Sequence, residues 1–306
     1  NDANSQYFNW YNFIEYPEKY ECWWGFDNLP NVNENNKEYL DYITGESGVA
    51  EYWQKLGCKG WRLDVADELP DEFLDALYSR VKSTDKDAFV IGEVWEDAST
   101  KKAYGRNKPY FTEGILDGVM NYQLKNAILD FLCYRIDAKV FSEAIETLLE
   151  NYPSESLQGL MNILGTHDTV RVINELSVGS MSSYTKEYRS KYVLSEEEKE
   201  KGKRRLRLAA VLQYIFPGSP CIYYGDEIGM EGFEDPFNRR FYTWDDMDVE
   251  LLGFYRKIGK IKVSEPSLHG KTALKVRYAA RDVIILERGN VTVLVNRGDR
   301  SKIFKV

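Results

Sequence analysis

The sequence predicts an α/β protein with a parallel sheet, followed by a small antiparallel β region. Three observations carry that expectation. Five short apolar runs (CKGWRLDV, DAFVIGEVW, GVMNY, LMNILGTHD and SPCIYYG) alternate with stretches of helical character. DAFVIGEVW is continuously apolar instead of alternating, as in strands covered on both faces. From about residue 266 the texture changes: LKVRYAA, DVIILERG and VTVLVNR follow one another with turn residues and no helix between them.

Each element has its own warrant. Residues 1–35 are rich in Asn, Tyr and Trp and lack periodicity, so they read as a long ordered loop region. Residues 37–56 read as one helix ending at Gly57. The strand CKGWRLDV follows. Phe73, Leu74, Leu77, Tyr78 and Val81 then recur at helical spacing over about 70–83. Beyond DAFVIGEVW and GVMNY, helical stretches run to about residue 151. SEEEKEKGKRRLRLAAVLQYI is a long helix. Ser195 and Glu198 form a capping box there, and acids precede bases as the helix dipole favours. Its charge run is assigned to a solvated face. SPCIYYG is the last strand of the series, and 247–262 is a helix. Arg281-Asp282 and Gly289-Asn290 are the turns of the terminal β region, about 40 residues in all.

Composition narrows the partners. The chain has 306 residues, 43% of them apolar, and a net charge of −9. That charge argues against nucleic acid, whose binders carry basic patches. With 22 Tyr, 14 Phe and 7 Trp, an aromatic-lined cleft suited to sugar rings competes with plain core packing as the use of these residues. Cys22, Cys58, Cys133 and Cys221 are far apart, without a CxxC or a nearby His. Free buried thiols are expected, no zinc site, and a cytoplasmic setting is favoured. No apolar run reaches 18 residues, so no membrane partner is expected.

The charges cluster at strand ends. In GWRLDVADELP, Arg62 and Asp64 lie two residues apart and so share one face of a strand, opposite Leu63 and Val65. Burying such a pair is costly unless it is matched, and a structural salt bridge is the plain reading. Yet a second strand ends in Glu93, and a third in His167 and Asp168. Strand carboxyl ends are where α/β folds build active sites. Three carboxylates around one axis raise one another's pKa, which a core would avoid. Two chemistries suit three convergent acids: an oxygen-ligand metal site, as in a metal-dependent hydrolase, and glycoside hydrolysis. The second asks for one ionised and one protonated carboxyl. Arg62 would keep Asp64 ionised, while the apolar strand before Val94 and Trp95 is an environment that raises a carboxyl pKa at Glu93. That split favours glycoside chemistry.

The motifs GWRLDVADE, VIGEVWEDA and ILGTHDTVR resemble, in order, the catalytic motifs of the α-amylase family of glycoside hydrolases (family 13). LPNVN at 29–33, GSPCIYYGDEIGM from 218 and DPFNRRFYTW from 235 resemble further family segments. Trp95 and the VADE tail resemble the neopullulanase, cyclomaltodextrinase and maltogenic amylase branch, which more often has Asn at the place of Asp67. The resemblance implies a retaining α-glucan hydrolase acting on α-1,4 or α-1,6 bonds of maltooligosaccharides, cyclodextrins, pullulan or starch. Asp64 matches the nucleophile, Glu93 the general acid/base and Asp168 the third acid, which binds sugar hydroxyls. Arg62, His167 and Arg239 match substrate-site residues. Trp23, Trp24, Phe26, Trp95 and Tyr122 are candidate stacking surfaces.

No cofactor is implied. Some members hold a structural calcium ion, and no loop here demands one. The resemblance also implies a (β/α)8 TIM barrel, of which about five units are present. Residues 1–35 would be a remnant of the inserted domain B, 36–263 barrel strands 4 to 8, and 264–306 the C-terminal β domain. The family motif DxxxNH, from the third strand, does not occur. The expectation is therefore a C-terminal part of a longer enzyme, with an N-terminal barrel segment as its missing partner. The alternative is a catalytically incompetent fragment or a carbohydrate-binding module of the same shape.

Overall fold

The structure, a computed structural model, describes residues 2–301. The terminal β region expected over 264–306 thus has its last five residues outside the described part. The chain divides into two compact units, 1–94 with 98–117, and 95–97 with 118–306.

The first unit opens with a hairpin of β1 (Phe13–Glu15) and β2 (Lys19–Tyr20). The expected loop region is thus ordered, and aromatic rings hold it: Phe8 stacks on Phe13 at 5.0 Å and Tyr16 packs edge-on to both. Single bridges, Tyr11 to Val32 and Cys22 to Pro30, close its base. The single helix expected over 37–56 is two helices, α1 (Lys37–Thr44) and α2 (Val49–Lys55). Gly45 ends the first, its N–H bonded to the Asp41 carbonyl, and Gly48 caps the second. A Cβ on Gly45 would lie 2.3 Å from the Asp41 oxygen, so glycine is what permits this close break.

Strand β3 (Gly60–Leu63), helix α3 (Asp71–Thr84) and strand β4 (Phe89–Gly92) form a βαβ unit, as expected. The strands are parallel, in the register Gly60 with Phe89 through Leu63 with Gly92. Leu74, Leu77 and Val81 of α3 are buried, and the helix packs on β4. A short ribbon, β5 (Lys102–Ala103) with β6 (Arg106–Asn107), ends this unit.

The second unit begins with β7 (Gly118–Val119), α4 (Tyr122–Leu132), α5 (Ala138–Asn151), α6 (Ser154–Gly159) and β8 (Met161–Asn162). There follow α7 (Val172–Val178), α8 (Lys186–Lys191), α9 (Glu196–Ile215), β9 (Ser219–Pro220) and α10 (Val249–Ser264). Met120 pairs with Met161 and β8 with β9, all parallel. The strands are shorter than the apolar runs that announced them, and Ile163 and Leu164 just after β8 are still buried. Helix α9 carries the expected capping box at Ser195 and Glu198. Its first half is solvated, and its second half buries Leu206, Ala209, Ala210, Leu212 and Ile215. An antiparallel sheet of β10 (Leu274–Ala280), β11 (Val283–Arg288) and β12 (Val291–Asn296) closes the described chain, with Arg281 in the left-handed region at the first turn.

The four cysteines are free, as expected, but half-buried instead of fully buried. Burial pushes the Cys133 and Cys221 thiols above their usual range, which makes them poor nucleophiles. No helix among the described residues is long and apolar enough to cross a membrane.

Gly118 tests the packing of β7. A Cβ there would lie 2.0 Å from the Gly159 carbonyl oxygen and 2.3 Å from its carbon, both backbone. Gly118→Ala should lower stability by about 2 kcal/mol, the range of an overpacked core. Urea unfolding of the variant checks this, and an unchanged midpoint would mean the α6 end yields freely.

Candidate active site

Asp64 and Glu93 each follow the last paired residue of their strands, Leu63 and Gly92. The parallel register therefore brings the two carboxylates side by side. One side chain grips both. Arg62 donates through Nη1 to Asp64 Oδ1 and through Nη2 to Glu93 Oε2, the latter at 2.8 Å. A guanidinium presents its donors in a fixed fork, which a lysine cannot reproduce.

The two acids differ in setting. Glu93 is 4% exposed, whereas the Asp64 side chain is 73% exposed. The sequence suggested that the Arg62–Asp64 pair is buried, and that expectation is corrected: both residues are exposed, and Glu93 is the buried partner. Nor is the setting of Glu93 simply apolar. Its Oε2 also accepts the Val65 N–H at 3.0 Å. Val65 is left-handed, with φ of 40°, a costly conformation for a β-branched residue. The strand's alternation stops there, and the turn aims the Val65 N–H at Glu93. Backbone bonds from Ala66 N to Glu93 O and from Glu93 N to Leu63 O lock the two strand ends together.

The acids that follow are anchors. Asp67 accepts from Tyr110 Oη at 2.6 Å and pairs with Lys101 at 2.7 Å. An Asn could not form that ion pair, which accounts for an acid at this position. Glu68 accepts from Trp24 Nε1 at 3.3 Å and from the Tyr104 hydroxyl. Trp24 stacks on Trp23 at 4.3 Å and is 65% exposed, so its outer face is available; Phe26 is also exposed.

In the second unit, His167 and Asp168 follow β8. His167 Nε2 lies 3.1 Å from Asp168 Oδ2, and Arg239 Nη2 lies 3.3 Å from Asp168 Oδ1. Arg239 also pairs with Asp235 at 2.8 Å and donates through Nε to the His167 carbonyl. The structure thus places Arg239 on the acid and its loop. Trp95 stacks on Tyr122 at 4.2 Å and is half exposed, while Tyr122 is 1% exposed. Tyr122 is therefore corrected: it begins α4 with its ring in the core, supports Trp95 from below, and offers no face of its own.

Sequence reasoning missed what holds the His167–Asp168 loop. Asn238 is fully buried and donates through Nδ2 to the carbonyls of His167 and Thr169 at 2.7 and 2.8 Å. Arg171, 1% exposed, donates through Nε to the Asn238 carbonyl, pairs with Asp226 at 3.1 Å and lies over Tyr223 at 4.2 Å. Burial pushes the Asp226 carboxyl up to about 7 against the pull of Arg171. All of these lie in the quoted motifs. The signal was an amide beside Arg239 in DPFNRRF, read as part of a segment and not as a residue. Among the described residues, no group of three His, Cys, Asp or Glu could hold a metal ion.

Residues 5–263 match the family described as Alpha amylase, catalytic domain. The chain belongs to this α-amylase family. An amylopullulanase of Thermoanaerobacter thermohydrosulfuricus is 30% identical over 98% of this chain and 22% of its own length. A cyclomaltodextrinase of a Bacillus species is 30% identical over 89% of this chain and 44% of its own length. The solved structure of the cyclic alpha-maltosyl-(1→6)-maltose hydrolase from Arthrobacter globiformis, in complex with maltose, superposes with a TM-score of 0.81 at 25% identity. It covers 98% of this chain and 63% of that one. The chain thus spans less than half the length of the two curated relatives. Neopullulanase and maltogenic α-amylase are also among the names of its relatives, as the motifs of this α-amylase-family chain led us to expect.

The grip of Arg62 is testable by stability. Arg62→Met should cost about 2 kcal/mol, the scale of a hydrogen bond to a charged group whose partner stays buried. Asp64→Asn, at an exposed side chain, should cost far less. Equal losses in chemical unfolding would contradict the assignment of Glu93 as the buried partner.

Proposed function

We propose that this chain carries the catalytic acids of a retaining α-glucan hydrolase acting on α-1,4 bonds, with α-1,6 bonds as the second class. Maltooligosaccharides, cyclodextrins, pullulan and starch are its candidate substrates. The observation that carries the reading is one guanidinium holding two carboxylates at adjacent parallel strand ends. Parallel strands lie about 4.8 Å apart. A nucleophile and an acid/base in a retaining enzyme stand about 5 Å apart. Family membership and the names of the relatives support the substrate class.

In this mechanism Asp64 attacks the anomeric carbon and forms the C–O bond of a glycosyl ester. Glu93 gives its proton to the departing glycosidic oxygen. Glu93 then takes a proton from water, which attacks the same carbon and releases Asp64. Two inversions leave the α configuration. Exposure of Asp64 suits a group that must meet a substrate. Burial of Glu93 between Arg62 and the Val65 N–H suits one whose position must be fixed. Asp168, held by His167 and Arg239, is assigned to sugar hydroxyls, and the outer faces of Trp24 and Trp95 to stacking. We further propose that the five β/α repeats are the later part of an eight-stranded barrel, and that the free thiols reflect a reducing compartment.

Glu93→Gln separates the steps. With maltotriose the rate should fall by about 10²–10⁴, the usual share of general acid–base catalysis. With α-maltosyl fluoride, whose leaving group needs no proton, the first step should survive. Unchanged turnover of maltotriose by Glu93→Gln would remove Glu93 from the acid/base role. Parent protein that binds maltotriose without releasing reducing ends would instead indicate a carbohydrate-binding fragment. Nuclear magnetic resonance of the first-formed product should show the α anomer, and a β product would sink the two-step mechanism.

The proposed chemistry uses no metal. Chelation by EDTA should therefore leave the rate of any hydrolysis unchanged at a temperature where the protein stays folded. Loss of turnover without loss of folding would point to metal-assisted hydrolysis.

A further inference from the structure

Far along the chain from the acids, the end of α9, β9, α10 and the segment after α10 line an open cavity of about 500 Å³. Its lining combines Lys262, His269 and Ser219 with the apolar Tyr214, Val263 and Leu268. Lys262 is 9% exposed. Among the described residues its Nζ has one weak partner, the Phe216 carbonyl at 3.4 Å. An ammonium has three donors, so two are left for whatever occupies the cavity. Directly behind it stands Arg288, fully buried. Arg288 donates to the carbonyls of Ile215, Phe216, Gly270 and Thr272.

Among the described residues, neither cation is paired with a carboxylate. Burying unpaired charge is costly. Part of the compensation is local, because Ile215 and Phe216 end α9 and carry the negative pole of its dipole. That pole amounts to about half a charge. It offsets only part of the two charges, of which Lys262 lines the cavity and Arg288 stands behind it, so the local balance stays positive. Burial and the Arg288 charge accordingly push the Lys262 ammonium down to about 8.

We propose that this cavity binds a small organic phosphate monoester, with Lys262 as its charged anchor. A phosphate monoester carries about −1.5 to −2 at neutral pH, opposite in sign to that balance. It accepts hydrogen bonds from an ammonium, a hydroxyl and a ring N–H alike. The cavity is larger than a bare phosphate needs, and its apolar wall suits an organic body of sugar size. His269 stands at the opening, its Nε2 3.1 Å from the Val263 carbonyl. The inference is independent of the hydrolytic reading, since it uses none of the same residues.

The test is calorimetric titration of the parent chain with glucose 1-phosphate and with inorganic phosphate. Glucose and sodium chloride at matched ionic strength are the controls. Saturable binding of glucose 1-phosphate is expected, weaker binding of phosphate, and none in the controls. Lys262→Met should weaken binding about tenfold or more. Without probe it should unfold no earlier than the parent, because an unneutralised charge has been removed. His269→Gln, at the opening, should keep the fold and weaken binding more mildly. Binding unchanged in Lys262→Met would overturn the proposal. So would absence of saturable binding to the parent, and a lower unfolding temperature for Lys262→Met would then reduce the lysine to a cap on α9.

Discussion

One arginine side chain organises the candidate catalytic pair. Two carboxylates at neighbouring strand ends repel each other, and one of them is buried. The fork of Arg62 meets both, and the Val65 N–H adds a second donor to Glu93. The demand runs backward into the fold. Only a parallel register that ends both strands at the same level puts Leu63 opposite Gly92 and the acids just beyond. Helix α3 is the crossover that returns the chain to make β4 parallel, and its apolar face supplies the packing that fixes that register. The left-handed Val65 belongs to the same requirement. Its strain is offset where its own N–H and that of Ala66 reach Glu93.

The second unit solves a comparable problem by different means. There the loop after β8 is held from its backbone side. Asn238 gathers its carbonyls, Arg171 holds Asn238, and Asp226 answers Arg171. The chain of contacts is buried, and two of its atoms, Arg171 Nη2 and Asn238 Oδ1, are left without a hydrogen-bond partner among the described residues. Asp226 shows the tension: burial favours its neutral form, and the guanidinium favours the charged one. The outer ends of this scaffold, His167, Asp168 and Arg239, thereby reach the surface. Buried and surface charges thus alternate along only a few residues of sequence.

That alternation explains what could be read in advance. The β/α order was legible because each strand is an apolar run and each helix has its own period. The acids were legible because a carboxylate closing such a run has no structural excuse. Which face is buried was not legible. Alternation put Arg62 and Asp64 together but said nothing of Glu93 reaching Arg62 from another strand. The break at Gly45 and Gly48 was hidden by a helical pattern that continues on both sides. Tyr122 and Trp95 look alike as aromatic residues, yet one starts a helix with its ring inward and the other rests on it. Asn238 and Asp226 escaped notice because an amide and an acid in a loop have many uses, and only tertiary contact selects one.

The two acids soon after β3 show how far a local motif can reach. Asp67 and Glu68 lie in one short 3-10 turn, Ala66–Glu68, directly after Val65. Each takes a tyrosine hydroxyl and one further donor. Asp67 holds Tyr110 and Lys101, and Glu68 holds Tyr104 and Trp24. Two segments distant in sequence are thereby tied to the strand that carries Asp64. The ties differ in kind, since the Lys101 pair is largely sheltered while Trp24 and Tyr104 stand in solvent. An ion pair sheltered from water keeps its strength in salt, and an exposed hydrogen bond is free to exchange. The Asp67 side is therefore the fixed wall of the turn and the Glu68 side the adjustable one. On the hydrolytic reading, the ring that would meet a sugar, Trp24, sits on the adjustable side, where a substrate can reposition it without disturbing the nucleophile.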